Sequence, residues 1–181
     1  MSIFDDAKVI ILLADHIGID GGGKANVLGA GFNLTTVGPQ GTVAFQHLLV
    51  LVDLPLKHAG ADFALSLELR DESTGSPFKI VGQPSGTPEP LRIQQIVRAE
   101  RITIPNVYLP STFPVRVQLN LALPPGLPLQ PGHDYAWHVE VDGQHRKNWQ
   151  AGFHVLGPPP QPVVGGISRP TDIPPLSSPS D

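Results

Sequence analysis

Leu129-Gln130-Pro131-Gly132-His133-Asp134-Tyr135-Ala136-Trp137-His138-Val139-Glu140-Val141-Asp142-Gly143 is the stretch that decides how this chain folds. Tyr135, Trp137, Val139 and Val141 alternate with Ala136, His138, Glu140 and Asp142. That period of two puts one set of side chains on each face of a strand. Pro131-Gly132 turns the chain into the strand. Asp142-Gly143 supplies the positive φ that a tight hairpin needs, which predicts a return strand near 149–156.

The same texture recurs upstream. Val115, Val117, Leu119, Leu121 and Leu123 alternate with Arg116, Gln118, Asn120 and Ala122. Phe63, Leu65, Leu67 and Leu69 share one face opposite Ala64, Ser66, Glu68 and Arg70, and residues 71–75 then turn the chain. Further strands are expected at 8–14, at 25–37 between glycines, and at 42–54. Residues 93–104 read as a short helix or a strand, with Ile102-Thr103-Ile104 favouring strand at their end. Seven or eight strands, Pro/Gly turns between them and almost no helix predict an all-β, antiparallel β-sandwich. The composition agrees. The chain has 21 prolines and 19 glycines among 181 residues, roughly twice the usual share. Each proline inside a helix would cost about 3 kcal/mol.

A boundary falls after Leu156-Gly157. In 158–181, eight of 24 residues are proline, none is aromatic, and only Arg169, Asp172 and Asp181 are charged. Such a segment builds no core of its own, so the expected organisation is a sandwich domain at 1–157 and a Pro-rich extended arm or disordered tail at 158–181. Extended at about 3.1 Å per residue, the arm would reach roughly 75 Å. Val163, Val164, Ile167, Ile173 and Leu176 punctuate it and are its candidate partner contacts.

The stretch from Leu129 to Tyr135 resembles the tyrosine corner of fibronectin-type and other immunoglobulin-like domains, where a leucine and a Pro-Gly turn precede a tyrosine. The resemblance implies an immunoglobulin-like sandwich in which the Tyr135 hydroxyl ties the corner to the backbone upstream. Another sandwich or a jelly roll is the alternative. A corner of this kind carries a fold and not a function.

Candidate chemistry is sparse. With no cysteine, disulfides, thiolate metal sites and cysteine nucleophiles are excluded. A formal charge of −4 argues against a protein held to nucleic acid by phosphate contacts. Gly18-Ile19-Asp20-Gly21-Gly22-Gly23-Lys24-Ala25 has the spacing of a phosphate loop but ends in Ala25, without the hydroxyl that would meet magnesium. A glycine-rich hairpin is the better reading. Four of the seven histidines, His133, His138, His145 and His154, lie close in sequence. None of them has the i, i+2 spacing of a ligand pair on one strand, so no metal and no cofactor are expected. Asp15-His16 lacks a serine in a strained elbow to activate, and the serines at 66, 73, 76, 85 and 111 fall in a strand or in turns. Asp71 and Glu72 sit in a turn, where charge is solvated. No catalytic residues are assigned, and an enzyme is not expected. Among Trp137, Trp149, Tyr108 and Tyr135, the residue expected at the surface is Trp149, beside Arg146, Lys147 and Asn148, as a loop contact.

Across some 130 residues the chain also resembles a set of small, uncharacterised β-sandwich proteins of actinobacteria and their tailed phages. Ala14-Asp15-His16, then Gly23-Lys24-Ala25-Asn26-Val27-Leu28-Gly29, and the closing 135–143 stretch carry that likeness. It implies a non-enzymatic structural or assembly protein, a phage capsid or tail accessory component. Its partners would be other protein subunits of a larger assembly, copies of itself included, with no nucleic acid and no membrane. The acidic start, Asp5-Asp6, and the short apolar run after it do not make a secretory leader, so assembly in the bacterial cytoplasm and residence in the virion are expected. The alternative is a stand-alone carbohydrate- or protein-binding module using the tips at 18–23, 82–90 and 144–149.

Overall fold

The computed structural model describes residues 2–38, 40–43, 46–81, 86–101, 106–110, 112–123 and 125–157. The arm at 158–181, with Val163, Val164, Ile167, Ile173 and Leu176, lies outside the described residues. So do Ser85, Ser111 and Ile102-Thr103-Ile104.

Within the described residues the chain is all-β, apart from a helical turn, α1 (Ile3–Asp6), and a 3-10 turn at Leu56–His58. No helix there is long and apolar enough to cross a membrane. The strands are β1 (Lys8–Ala14), β2 (His16–Ile19), β3 (Ala25–Leu28), β4 (Leu34–Thr36), β5 (Gln46–Leu54) and β6 (Asp62–Asp71). They continue with β7 (Ser76–Pro77), β8 (Lys79–Val81), β9 (Pro88–Pro90), β10 (Arg92–Arg98), β11 (Val115–Leu123), β12 (Asp134–Val141) and β13 (Gln144–Leu156).

One sheet runs β1-β5-β11 and a larger one β10-β6-β12-β13-β4, with β7 added to β6. Pairing is antiparallel except between β13 and β4, which run parallel from His154 opposite Leu34 to Leu156 opposite Thr36. The alternation read from the sequence decides which face is buried. Phe63, Leu65, Leu67 and Leu69 point inward with Tyr135, Trp137, Val139 and Val141. They meet Leu48, Val50, Val52 and Leu54 of β5 in a core shared by the two sheets. Truncating an aromatic in such a core costs about 3–5 kcal/mol.

The Tyr135 corner forms. Gly132 turns at φ 84°, and the Gln130 backbone N–H donates to the Tyr135 hydroxyl at 3.0 Å. Burial pushes the Tyr135 phenol up. The Gln130 hydrogen bond opposes that shift, and the nearby Asp71 charge adds to it. The β12–β13 turn is equally literal: Asp142 and Gly143 both have positive φ, 50° and 73°. That pair of left-handed residues matches the twist of the strands it joins.

Two expectations are corrected and one open choice is resolved. The strand expected at 25–37 is two strands, β3 and β4, because Gly29 and Gly31 turn the chain at φ 63° and 80°. A Cβ on Gly29 would lie 2.0 Å from an Asp15 carboxylate oxygen, so a side chain there would have to displace that carboxylate while holding a left-handed φ. The segment at 93–104, left open between helix and strand, is strand β10 as far as Arg98, and 99–101 are irregular. The second correction is Trp149, which is 1% exposed. It sits inside β13 and not on a loop tip. Phe4 of α1 packs edge-on against it at 5.3 Å, and the Arg146 guanidinium lies 5.1 Å from its ring. Arg146 is held there by the Phe4 and Asp5 carbonyls, at 2.9 and 2.8 Å. A polar run beside a tryptophan says nothing about burial when a neighbouring segment supplies the lid.

Part of the outer face of the smaller sheet is also covered. Hairpin β2–β3 folds back over it, burying Ile17 against Ala14 and Leu49. Asn120 of β11 donates to the Ile17 carbonyl at 3.3 Å. The larger sheet carries its outward side chains on the other side of the body.

Candidate functional site

The outward positions of β6, β10, β12 and β13 bring the polar residues of the larger sheet together. Strand pairing sets Arg92 opposite Glu68 and Glu140 opposite Ser66, all on one face. Arg92 donates to Ser66 Oγ at 3.0 Å and grips Glu140. Ser66 Oγ, in a residue only 3% exposed, donates to the same Glu140 oxygen at 3.1 Å. Glu68 forms an ion pair with the other side of Arg92 at 3.6 Å. Ser66 therefore links the Arg92 and Glu140 charges.

Next to this network lie the histidines. His138 Nε2 meets Glu72 Oε1 at 2.7 Å, and its Nδ1 lies 3.3 Å from His145 Nε2. His145 Nδ1 in turn meets the Val139 carbonyl at 3.0 Å. The arrangement follows from an irregularity in the hairpin. Register jumps from His138 opposite Gln150 to Glu140 opposite His145, leaving Val139 without a partner on β13. The His145 ring satisfies the carbonyl that the bulge strands. Farther along, His133 pairs with Asp71 at 2.8 Å and His154 with Asp134 at 2.7 Å. The four clustered histidines are thus strung along the β12–β13 hairpin, His133 and His154 at its Asp134 end and His138 and His145 toward its turn, and three of them bond carboxylates. Among the described residues no group of three or more ligating side chains converges to hold a metal.

An open groove of about 390 Å³ runs beside His154, over Ala136 and Gly152, with Glu72, Gln150, Asn33 and Leu34 on its flanks. Leu34 and Leu156, at the β4–β13 margin, are 54% and 41% exposed. A smaller hollow of about 190 Å³ lies at the opposite sheet, between Asp6, Lys8, Asp53 and Pro114. Its carboxylates are engaged. Asp53 takes a two-pronged grip from Arg116 at 2.6 and 2.7 Å, which raises the guanidinium still further above its ordinary value. Asp6 holds Lys57 and His58 at 2.6 and 2.8 Å, and these hydrogen bonds keep its carboxyl below the usual range.

The remaining sequence candidates resolve one by one. The phosphate-loop look-alike is the β2–β3 hairpin. The Asp20 carboxylate accepts from the Gly22 and Lys24 N–H groups at 2.8 and 2.9 Å, filling with its own charge the place an anion would need. Asp15 lies against Gly29, while His16 packs edge-on to His47 at 5.0 Å, so the pair points two ways. Asp71 caps its turn through the Ser73 and Thr74 N–H groups, and Ser73 Oγ accepts from Asp134 N. Tyr108 is 90% exposed, whereas Trp137 and Tyr135 are core. The His138–His145 pair escaped a search for i, i+2 spacing because the two residues are seven apart. The hairpin holds the signal. A two-residue turn at 142–143 sets Glu140 opposite His145, so His138, two residues before Glu140, lies diagonally across on the same face.

Fold and surface together define an all-β protein of two sheets around one core, with a charged, histidine-bearing outer face on the larger sheet. No protein family and no curated protein matches the chain. Among solved structures it is similar to the Pseudomonas fluorescens alkylpurine DNA glycosylase AlkC bound to DNA containing an abasic site analogue, at a TM-score of 0.34 and 11% identity. That match covers 81% of this chain and 30% of the other, so the chain spans about a third of that protein's length. At this level the likeness carries no argument about activity.

Proposed function

We propose that the chain is an immunoglobulin-like sandwich that works as a non-enzymatic assembly protein, a virion component of the kind the sequence resemblance implies. The fold half of the reading is supported by strand order. The order β1-β5-β11 corresponds to strands A, B and E of that fold, and β6-β12-β13 to C, F and G, with the tyrosine corner at the start of the F strand.

The observation that carries the assembly half is the β4–β13 margin. Leu34 and Leu156 present apolar surface beside the 390 Å³ groove, and β13 delivers the chain into 158–181 at that same margin. An arm leaving from an apolar edge gives each subunit two modest contacts with its neighbours. In a repeated lattice the first contact raises the effective concentration for the second, so weak contacts add to firm attachment. The carbohydrate-binding alternative loses its aromatic anchor with Trp149 in the core.

Sedimentation of native extracts tests the reading. The full chain is expected to travel with large particles, whereas residues 1–157, or the full chain carrying Leu34→Asp and Leu156→Asp, should stay behind with an unchanged melting temperature. A full chain that sediments as a free monomer in the cells that make it overturns the proposal.

A further inference from the structure

We infer that His138 and His145 form a binding site for a divalent transition metal ion of the zinc, nickel and copper class. The argument begins with tautomers. A carboxylate oxygen and a backbone carbonyl only accept hydrogen bonds, so the contact to Glu72 places a proton on His138 Nε2, and the contact to Val139 places one on His145 Nδ1. Each neutral ring has then used its single N–H. The two nitrogens left, His138 Nδ1 and His145 Nε2, present lone pairs to each other across 3.3 Å, with the rings tilted by 52°. Two lone pairs aimed at one point repel unless a positive centre lies between them.

The spacing fits a metal. With metal–nitrogen bonds of about 2.0–2.1 Å and a tetrahedral angle, two imidazole nitrogens stand about 3.3–3.4 Å apart. The outer partners fit as well. Imidazoles that bind metal donate their other N–H to a carboxylate or a backbone carbonyl, which fixes the ring and strengthens the ligand. Here one ring has each kind. The support is stiff: the Glu72 N–H is tied to the Asp134 carbonyl at 2.8 Å, and both rings stand on a hairpin with a two-residue turn. Glu140 lies opposite His145, and Glu68 and Gln150 lie opposite His138; Arg92 bridges the two glutamates and Arg70 meets Glu68, so these flanking charges offset one another and Glu72 is the anion in contact with the pair. With only two protein ligands among the described residues, water completes the shell. Imidazole donors favour zinc, nickel and copper over magnesium and calcium, with copper(II) the tightest.

Equilibrium dialysis of the untagged full chain against Cu²⁺, Ni²⁺ and Zn²⁺ tests the site. One ion per chain is expected, in the affinity order Cu²⁺ above Ni²⁺ and Zn²⁺. His138→Ala and His145→Ala should each weaken binding at least tenfold. Glu72→Gln, which leaves both ligand nitrogens in place, should weaken it by roughly 10- to 100-fold. Zn²⁺ should shift the ¹⁵N resonances of His138 Nδ1 and His145 Nε2 and leave those of the other histidines in place. Metal binding that survives unchanged in the His138→Ala/His145→Ala double variant overturns the inference. So does a wild-type chain that binds no ion, whether or not its ¹⁵N spectrum shows a proton shared between the two rings.

Discussion

Tyr135→Phe separates the hydroxyl of the corner from its ring. The ring packs edge-on to Phe78 at 5.9 Å and stacks on Phe153 at 6.0 Å, and phenylalanine keeps both contacts. What disappears is the acceptor for the Gln130 N–H, leaving a partly buried donor without its partner. A lost hydrogen bond contributes about 0.5–1.5 kcal/mol, and an orphaned buried donor moves the cost upward, so about 1–2 kcal/mol is expected. In a chain of this length that lowers the melting temperature by roughly 2–8 °C. The substitution also carries a pH signature. Burial raises the folded phenol above its ordinary value of 10.0. Its contribution to stability is therefore complete below that value and is lost as pH rises through the folded one. The gap between wild type and Tyr135→Phe should then narrow above pH 10. Urea denaturation from pH 7 to 11 checks both parts, with Tyr108→Phe, at an exposed position, as the control. A Tyr135→Phe chain as stable as wild type at pH 7, or a gap that stays constant to pH 11, refutes the reasoning.

Other outcomes follow from the same geometry. Gly29→Ala should destabilise by about 1–3 kcal/mol in chemical denaturation, since it forces both a left-handed alanine and a clash with Asp15, while Gly31→Ala meets no neighbour and should cost less. Trp149→Ala should cost about 3–5 kcal/mol, and wild-type tryptophan fluorescence should be blue-shifted and resist iodide quenching, because both tryptophans are buried. The Asp6 carboxyl, held below its ordinary 3.8 by Lys57 and then His58, lends stability that is present above that value and fades as pH falls. Asp6→Asn should flatten the acid limb of a stability–pH curve measured between pH 5 and 2.

The strands most plainly legible were those whose alternation has one reading. Asp62–Asp71, Val115–Leu123 and the 135–141 face lie where a period of two places them, and Asp142-Gly143 makes the turn that its residue types require. Legibility failed where a distant contact decides. Nothing in 144–148 announces a strand, because those residues pair with β12 only through a bulge that a histidine side chain repairs. The burial of Trp149 depends on Phe4, 145 positions away. The break within 25–37 was written in Gly29 and Gly31, but telling a turn glycine from a strand glycine needs the Asp15 carboxylate in place. Likewise the histidine pair is a matter of hairpin register, and a search by linear spacing along one strand passes over it.

The parallel pairing of β13 with β4 has a mechanical meaning. A pull on Gly157 runs along the axis of β13, which is bonded to β12 on one side and to β4 on the other. Ladder hydrogen bonds lie across the strands, so tension along β13 loads them in shear, many at once, and does not peel them open singly from one end. The Val37 N–H to Leu156 carbonyl bond, at 3.0 Å, and the His154 N–H to Asn33 carbonyl bond, at 2.8 Å, share that load at the margin. A body tethered from this end would yield by sliding β13 past its two neighbours, β12 and β4.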